Sequence, residues 1–168
     1  MTTGNKILEL LYSSSEDDIL KGIEIMRIEG SCKLIPALIS VLHHSENNFI
    51  RKSISSVLFD LKDKESVPFL IESIRDEENH DELDILVSAC WQTGLDFSDH
   101  IILFSELFVK EDYIVSIEAY TVIDTHFIEN KLSDKSINQM LEILKPAVST
   151  IALEKKTLLE ELIKTLIA

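Results

Sequence analysis

The segment Pro36-Ala-Leu-Ile-Ser-Val-Leu42 returns 32 residues later as Pro68-Phe-Leu-Ile-Glu-Ser-Ile74. Ile101-Ile-Leu-Phe-Ser-Glu-Leu107 continues the series 33 residues further on. A second set runs in phase with the first. Ile50, Ile54, Val57 and Leu58 map onto Leu83, Val87, Cys90 and Trp91, and these onto Val115, Ala119, Val122 and Ile123. Asn138-Gln-Met-Leu-Glu-Ile-Leu144 is a looser copy. A unit of about 32 residues holding two apolar segments cannot cover both of them alone. Stacking such units buries a continuous core, so the repeat restricts the chain to an array closed by polar end units.

Within each unit the apolar spacing is three and four, as at Leu34, Ile35, Leu38, Ile39 and Leu42. That is the period of a helix, not the alternation of a strand. Four glycines and three prolines are too few for the turns of an all-β protein. The pattern predicts helices near 4–13, 16–29, 32–43, 47–61, 66–77, 81–94, 98–109, 112–128, 134–145 and 147–167. Ser15, Ser66, Ser98 and Ser133 stand where N-caps are wanted. Pro68 falls in a first turn, and Pro146 is expected to separate two helices. Gly30 and Gly94 follow amphipathic runs, where a left-handed residue often ends a helix. Connections of two to five residues force antiparallel neighbours.

Leu34-Ile35-Pro36-Ala37-Leu38-Ile39 followed by Asn48-Phe49-Ile50-Arg51-Lys52-Ser53-Ile54 resembles a HEAT-like helical repeat. The first helix carries the Pro-x-Leu-Ile pattern, and the second opens with an apolar-Arg pair. The resemblance spans residues 31–128. It departs from the pattern where Arg51 is matched by Asp84 and Ser116, and Pro36 by Ile101. It implies an all-α fold, an α-solenoid of about ten helices in stacked antiparallel hairpins. Residues 1–168 are read as one helical-repeat domain. Its parts are an N-terminal capping hairpin at 1–30, three clear repeats at 31–128, and a degenerate repeat with a C-terminal cap at 129–168. In that cap Leu158, Leu159, Leu162, Ile163 and Leu166 form the apolar face, and Glu154, Lys155, Lys156, Glu160, Glu161 and Lys164 the polar one. A compact irregular bundle is the rival arrangement.

The formal net charge is −14. A field of that sign repels the phosphate backbone, so nucleic acid is not an expected partner. No apolar run reaches the roughly 20 residues of a membrane span. The N-terminus lacks the long apolar stretch and cleavage site of a signal peptide. Cys32 and Cys90 have neither metal spacing nor a disulfide framework, and they read as buried thiols. A soluble protein of a reducing compartment, the cytoplasm, is the expectation.

No catalytic motif stands out: there is no GxSxG, P-loop or GxGxxG. His43-His44 are adjacent, whereas a helical metal pair wants i, i+4 on one face. They read instead as residues favoured at the negative end of a helix. His80, His100 and His126 are scattered. No cofactor, metal or catalytic residue is assigned. The expected role is a non-enzymatic protein-interaction module.

In HEAT-like stacks the second helices line the concave side. The residues opposite their core stripes are Lys52, Ser55, Ser56 and Phe59, then Asp84, Ser88 and Gln92, then Ser116, Tyr120 and Asp124. Phe59 and Tyr120 are the aromatic anchors among them. A second surface is the edge carrying the turns within hairpins, where Glu16-Asp17-Asp18, Glu46, Asp76-Glu77-Glu78, Asp81-Glu82 and Glu111-Asp112 fall. Acids at helix starts have a local cause. Asp76, Glu77 and Glu78, read as the end of a helix, do not. The partner expected is a protein, basic in the sharper form, in which the chain is an inhibitor or immunity-type protein. The alternatives are an enzyme or lyase on a HEAT-like scaffold acting on a small ligand, and an assembly subunit of a larger complex.

Overall fold

The computed structural model describes residues 3–167. Among them are ten α-helices and no strand, so the fold is all-α. The helices are α1 (Thr3–Leu11), α2 (Glu16–Glu29), α3 (Ile35–His44), α4 (Asn48–Phe59), α5 (Ser66–Arg75), α6 (Leu83–Gln92), α7 (Ile101–Lys110), α8 (Tyr113–Ile128), α9 (Asp134–Ala147) and α10 (Leu153–Ile167). The chain divides into two compact units, Met1–Leu95 and Asp96–Ala168.

In the first unit α1 packs on α3 and α3 on α5, while α2 packs on α4 and α4 on α6. First helices therefore stack on first helices and second helices on second. The apolar stripes found in the sequence supply this core: Ile35, Leu38, Ile39 and Leu42 from α3, Ile50, Ile54 and Leu58 from α4, and Leu86, Val87 and Cys90 from α6 are buried. Gly22 lets α1 and α2 close on each other, since a Cβ there would meet the Leu10 Cβ at 3.0 Å. In the second unit α7 pairs with α8 and packs on α9, and α10 packs on α8 and α9. Its centre holds Phe97, Phe104 and Phe108, all fully buried. The Phe97 and Phe104 rings meet edge to face at 6.1 Å.

Several local expectations are corrected. Three helices predicted as continuous are entered through 3₁₀ turns, at Cys32–Leu34, Glu77–Glu82 and Ser98–His100. Ser15 and Ser133 cap α2 and α9 as expected, accepting the N–H groups of Asp18 and Ser136. Ser66 and Ser98 do not cap. Each lies inside the first turn, and a carboxylate upstream takes the role: Asp63 accepts the Glu65 N–H at 2.9 Å and Asp96 the Ser98 N–H at 2.9 Å. A charged acceptor makes the stronger bond. Gly94 has φ +69°, the left-handed conformation expected of it. Gly30 is extended instead, at φ −71°. It is needed because a Cβ would run into the Met26 sulfur and carbonyl. Pro146 does not separate two helices. It sits in the last turn of α9, which stops at Ala147, and α10 starts only at Leu153. A missing N–H forfeits a single hydrogen bond there.

Candidate functional site

The turn edge of the Met1–Leu95 unit is built by short connections with their own hydrogen bonding. Between α1 and α2 the Ser13 hydroxyl accepts the Ser15 N–H at 3.1 Å and donates to Asp18 at 3.3 Å. Between α3 and α4 the Asn47 side-chain oxygen accepts the N–H groups of Phe49 at 2.8 Å and Ile50 at 3.3 Å. These two turns flank a groove of about 500 Å³. Leu11, Ile19, Val41 and Ile50 give it apolar walls, and Glu16 and Glu46 are its charged groups. A smaller depression of about 160 Å³ adjoins it, sharing Ser40 and His44 and adding Asp76 and Glu78. Neither lining contains a lysine or arginine.

The acids at 76–78 have a local role that the sequence reading missed. Asp76 is not the end of a helix left to itself. It is the N-cap of the 3₁₀ turn, accepting the Glu78 N–H at 3.1 Å, and Glu77 and Glu78 occupy that turn's start. Acids are favourable there for the reason they are at any helix start. All three side chains remain exposed.

Behind this edge lies a buried charge. Glu82 is 2% exposed, and its two oxygens meet His43 Nδ1 at 2.9 Å and Arg51 Nη1 at 3.4 Å. Arg51 also donates to the Leu42 carbonyl at the end of α3. Hydrogen bonding to Glu82, and then its charge, hold the His43 imidazole above its ordinary pKa. One carboxylate thus ties the C-terminal turn of α3, the first turn of α4 and the entry to α6. The apolar-Arg pair seen at Ile50-Arg51 has this structural use. His44 packs edge to face on the His43 ring at 4.9 Å but does not meet Glu82; its Nδ1 donates to the Ser40 carbonyl at 2.8 Å.

The second-helix residues divide. On α4, Lys52 is exposed, while Ser55 and Phe59 are half-buried. Ser55 donates to the Arg51 carbonyl at 2.9 Å. On α6, Gln92 is exposed and Asp84 half-buried, but Ser88 is buried with its hydroxyl held by Gln92 Nε2 at 2.7 Å. On α8, Tyr120 and Asp124 are half-buried. Burial, and then the carboxylates of Asp124 and Glu161, raise the Tyr120 phenol. Ser116 belongs to no surface. It is fully buried, and its one hydroxyl proton is shared within its own unit between the Asp112 carbonyl at 2.6 Å and the Phe108 carbonyl at 2.9 Å.

Two further polar side chains are interior to the second unit. Lys155, placed by pattern on a polar face, is 4% exposed. Its ammonium donates to the carbonyls of Phe108 at 3.0 Å, Val109 at 2.9 Å and Glu111 at 2.7 Å. Desolvation lowers its pKa. His126 is 1% exposed, donates from Nδ1 to the Val122 carbonyl at 2.8 Å, and accepts the Phe97 N–H at Nε2 at 2.9 Å. Both ring nitrogens are used in holding the chain, which fixes the tautomer.

Cys32, Asp63 and Glu65 are the described residues grouped closely enough to hold a metal, their ligand atoms lying within 4.8 Å of one another. A thiolate with two carboxylates is a donor set that borderline-soft divalent ions accept. Arg27 and Lys62 line the same cleft, however, and their charge opposes a cation. No described helix is long and apolar enough to cross a membrane. Comparison with protein-family models, with curated proteins and with solved structures finds no match to this chain.

Proposed function

We propose that this chain is a non-enzymatic protein-interaction module, built as a HEAT-like stack of helical hairpins, that holds a basic partner protein. The contact order of the first unit, α1 with α3 with α5 and α2 with α4 with α6, supports that build. The observation that carries the role is the turn-edge groove with its neighbouring depression. Glu16, Glu46, Asp76 and Glu78 stand around them with no lysine or arginine in either lining. On a chain of net charge −14, such an edge attracts and orients a basic surface. Lys52, Ser55, Phe59, Asp84 and Gln92 on the second helices offer additional contact; Ser88 and Ser116, being buried, do not.

The test is capture of a partner from the native source, followed by binding of the two purified proteins. Binding should weaken steeply with salt and fall at least tenfold when Glu16, Glu46 and Glu78 are all changed to lysine. Binding indifferent both to salt and to these substitutions would remove the turn edge from the account.

A further inference from the structure

We infer, on that reading of the turn edge, that the groove between the α1–α2 and α3–α4 turns takes one apolar side chain of an extended partner segment, flanked by lysine or arginine. Its volume of about 500 Å³ falls within the usual range of binding pockets. Its apolar floor is Ile19 with the edges of Leu11, Val41 and Ile50, whose side chains are otherwise buried in the core. Tyr12 lines it too and is 62% exposed, an aromatic ring left open to contact.

The polar groups of the lining decide the rest. The side-chain oxygens of Ser13, Ser45 and Asn47 already accept backbone N–H groups of their own turns. His44 Nδ1 is committed to Ser40. The two charged groups, Glu16 and Glu46, accept no hydrogen bond and pair with no cation among the described residues. Both are exposed carboxylates, which only accept hydrogen bonds, so the charge complementary to this rim is a cationic donor. An ammonium or guanidinium beside an apolar side chain meets both requirements. Free amines share half of that chemistry, but they do not fill an apolar groove.

The intact ¹⁵N-labelled protein is titrated with three peptides: Lys-Lys-Phe-Leu-Lys-Lys, its analogue with two serines in place of Phe-Leu, and its analogue with glutamates in place of the lysines. The first should shift the amides of Leu11, Ile19, Val41 and Ile50 and bind at least tenfold tighter than either analogue. Glu16→Gln with Glu46→Gln should weaken it about tenfold, the worth of a lost charge-assisted hydrogen bond. Ser40→Trp, which fills the groove from the surface of α3, should abolish the shifts while the circular dichroism is kept. Equal binding by the serine analogue, or shifts spread over acids outside the groove, would overturn the anchored mode. The two proposals can fail separately. A partner lost on charge reversal but retained by Ser40→Trp keeps the turn edge and discards the groove. A partner retained by both discards both.

Discussion

Lys155 Nζ lies 3.0 Å from the carbonyl oxygen of Phe108, a residue 47 positions earlier. The ammonium reaches from the first turn of α10 to the end of α7, where carbonyls have no partner within their own helix. Ser116 reaches the same Phe108 oxygen from α8 at 2.9 Å. The negative end of α7 is therefore closed by a charge from one neighbouring helix and a hydroxyl from another. This is the interior counterpart of a lysine placed in the last turn of a helix.

Lys155→Met should destabilise the protein by about 2–3 kcal/mol, because three carbonyls lose a charged donor that is itself almost wholly buried. Ser116→Ala should cost about 1 kcal/mol. Since both side chains serve one oxygen, the double mutant should depart from additivity by more than about 0.5 kcal/mol. Urea unfolding of the four proteins measures this. Additive losses would mean that the two donors act independently.

His43 should titrate above its ordinary value of 6.5. A raised folded pKa means that the folded state binds the proton more tightly than the unfolded chain. The Glu82 interaction is then fully present below the unfolded value and lost as pH rises through the folded one. Glu82→Gln should return the His43 midpoint toward 6.5. Proton NMR of the imidazole follows it directly, and an unmoved midpoint would assign the shift to another group.

Asp76 and its neighbours separate a structural role from a binding one. Asp76→Ala removes the cap of the 3₁₀ turn and should cost about 1 kcal/mol of stability. The side chains of Glu77 and Glu78 are exposed and make no hydrogen bond or ion pair among the described residues, so Glu77→Lys and Glu78→Lys should each change stability by less than about 0.5 kcal/mol. Thermal melts of the three variants decide this. Equal losses at all three positions would remove the cap as the cause.

Gly22→Val should be strongly destabilising. Even the first added carbon meets Leu10 Cβ at 3.0 Å and the Leu11 backbone nitrogen at 3.2 Å. Helices α1 and α2 must separate, at a cost of about 1–3 kcal/mol as for other overpacked contacts. Gly4→Ala is the control, with nothing within 4 Å of its added carbon. Hydrogen exchange should show the loss in α1 and α2 first.

The elements themselves were legible in the sequence, because their causes are local. Apolar spacing of three and four produced the buried stripes of α3, α4 and α6. Ser15 and Ser133 capped as their positions require, and Gly94 took the left-handed turn. The misses have a shared form. Ser66 and Ser98 were displaced by Asp63 and Asp96, whose carboxylates bind the same kind of orphan N–H more strongly. Asp76 changed meaning because a 3₁₀ turn begins where the helix was read as ending.

What the amino-acid order determined alone was the all-α class, the apolar stripes of the helices and the excess of acids, since periodicity, turn chemistry and charge act over a few residues. The tertiary structure decided which polar side chains are interior. Glu82 meets His43 from 39 positions away, and Lys155 meets Glu111 from 44. No spacing rule reaches that far. A buried charge is tolerated only where folding delivers its partners, so burial of Glu82, Lys155 and Ser116, like the groove formed by two separate turns, exists only once the helices have packed.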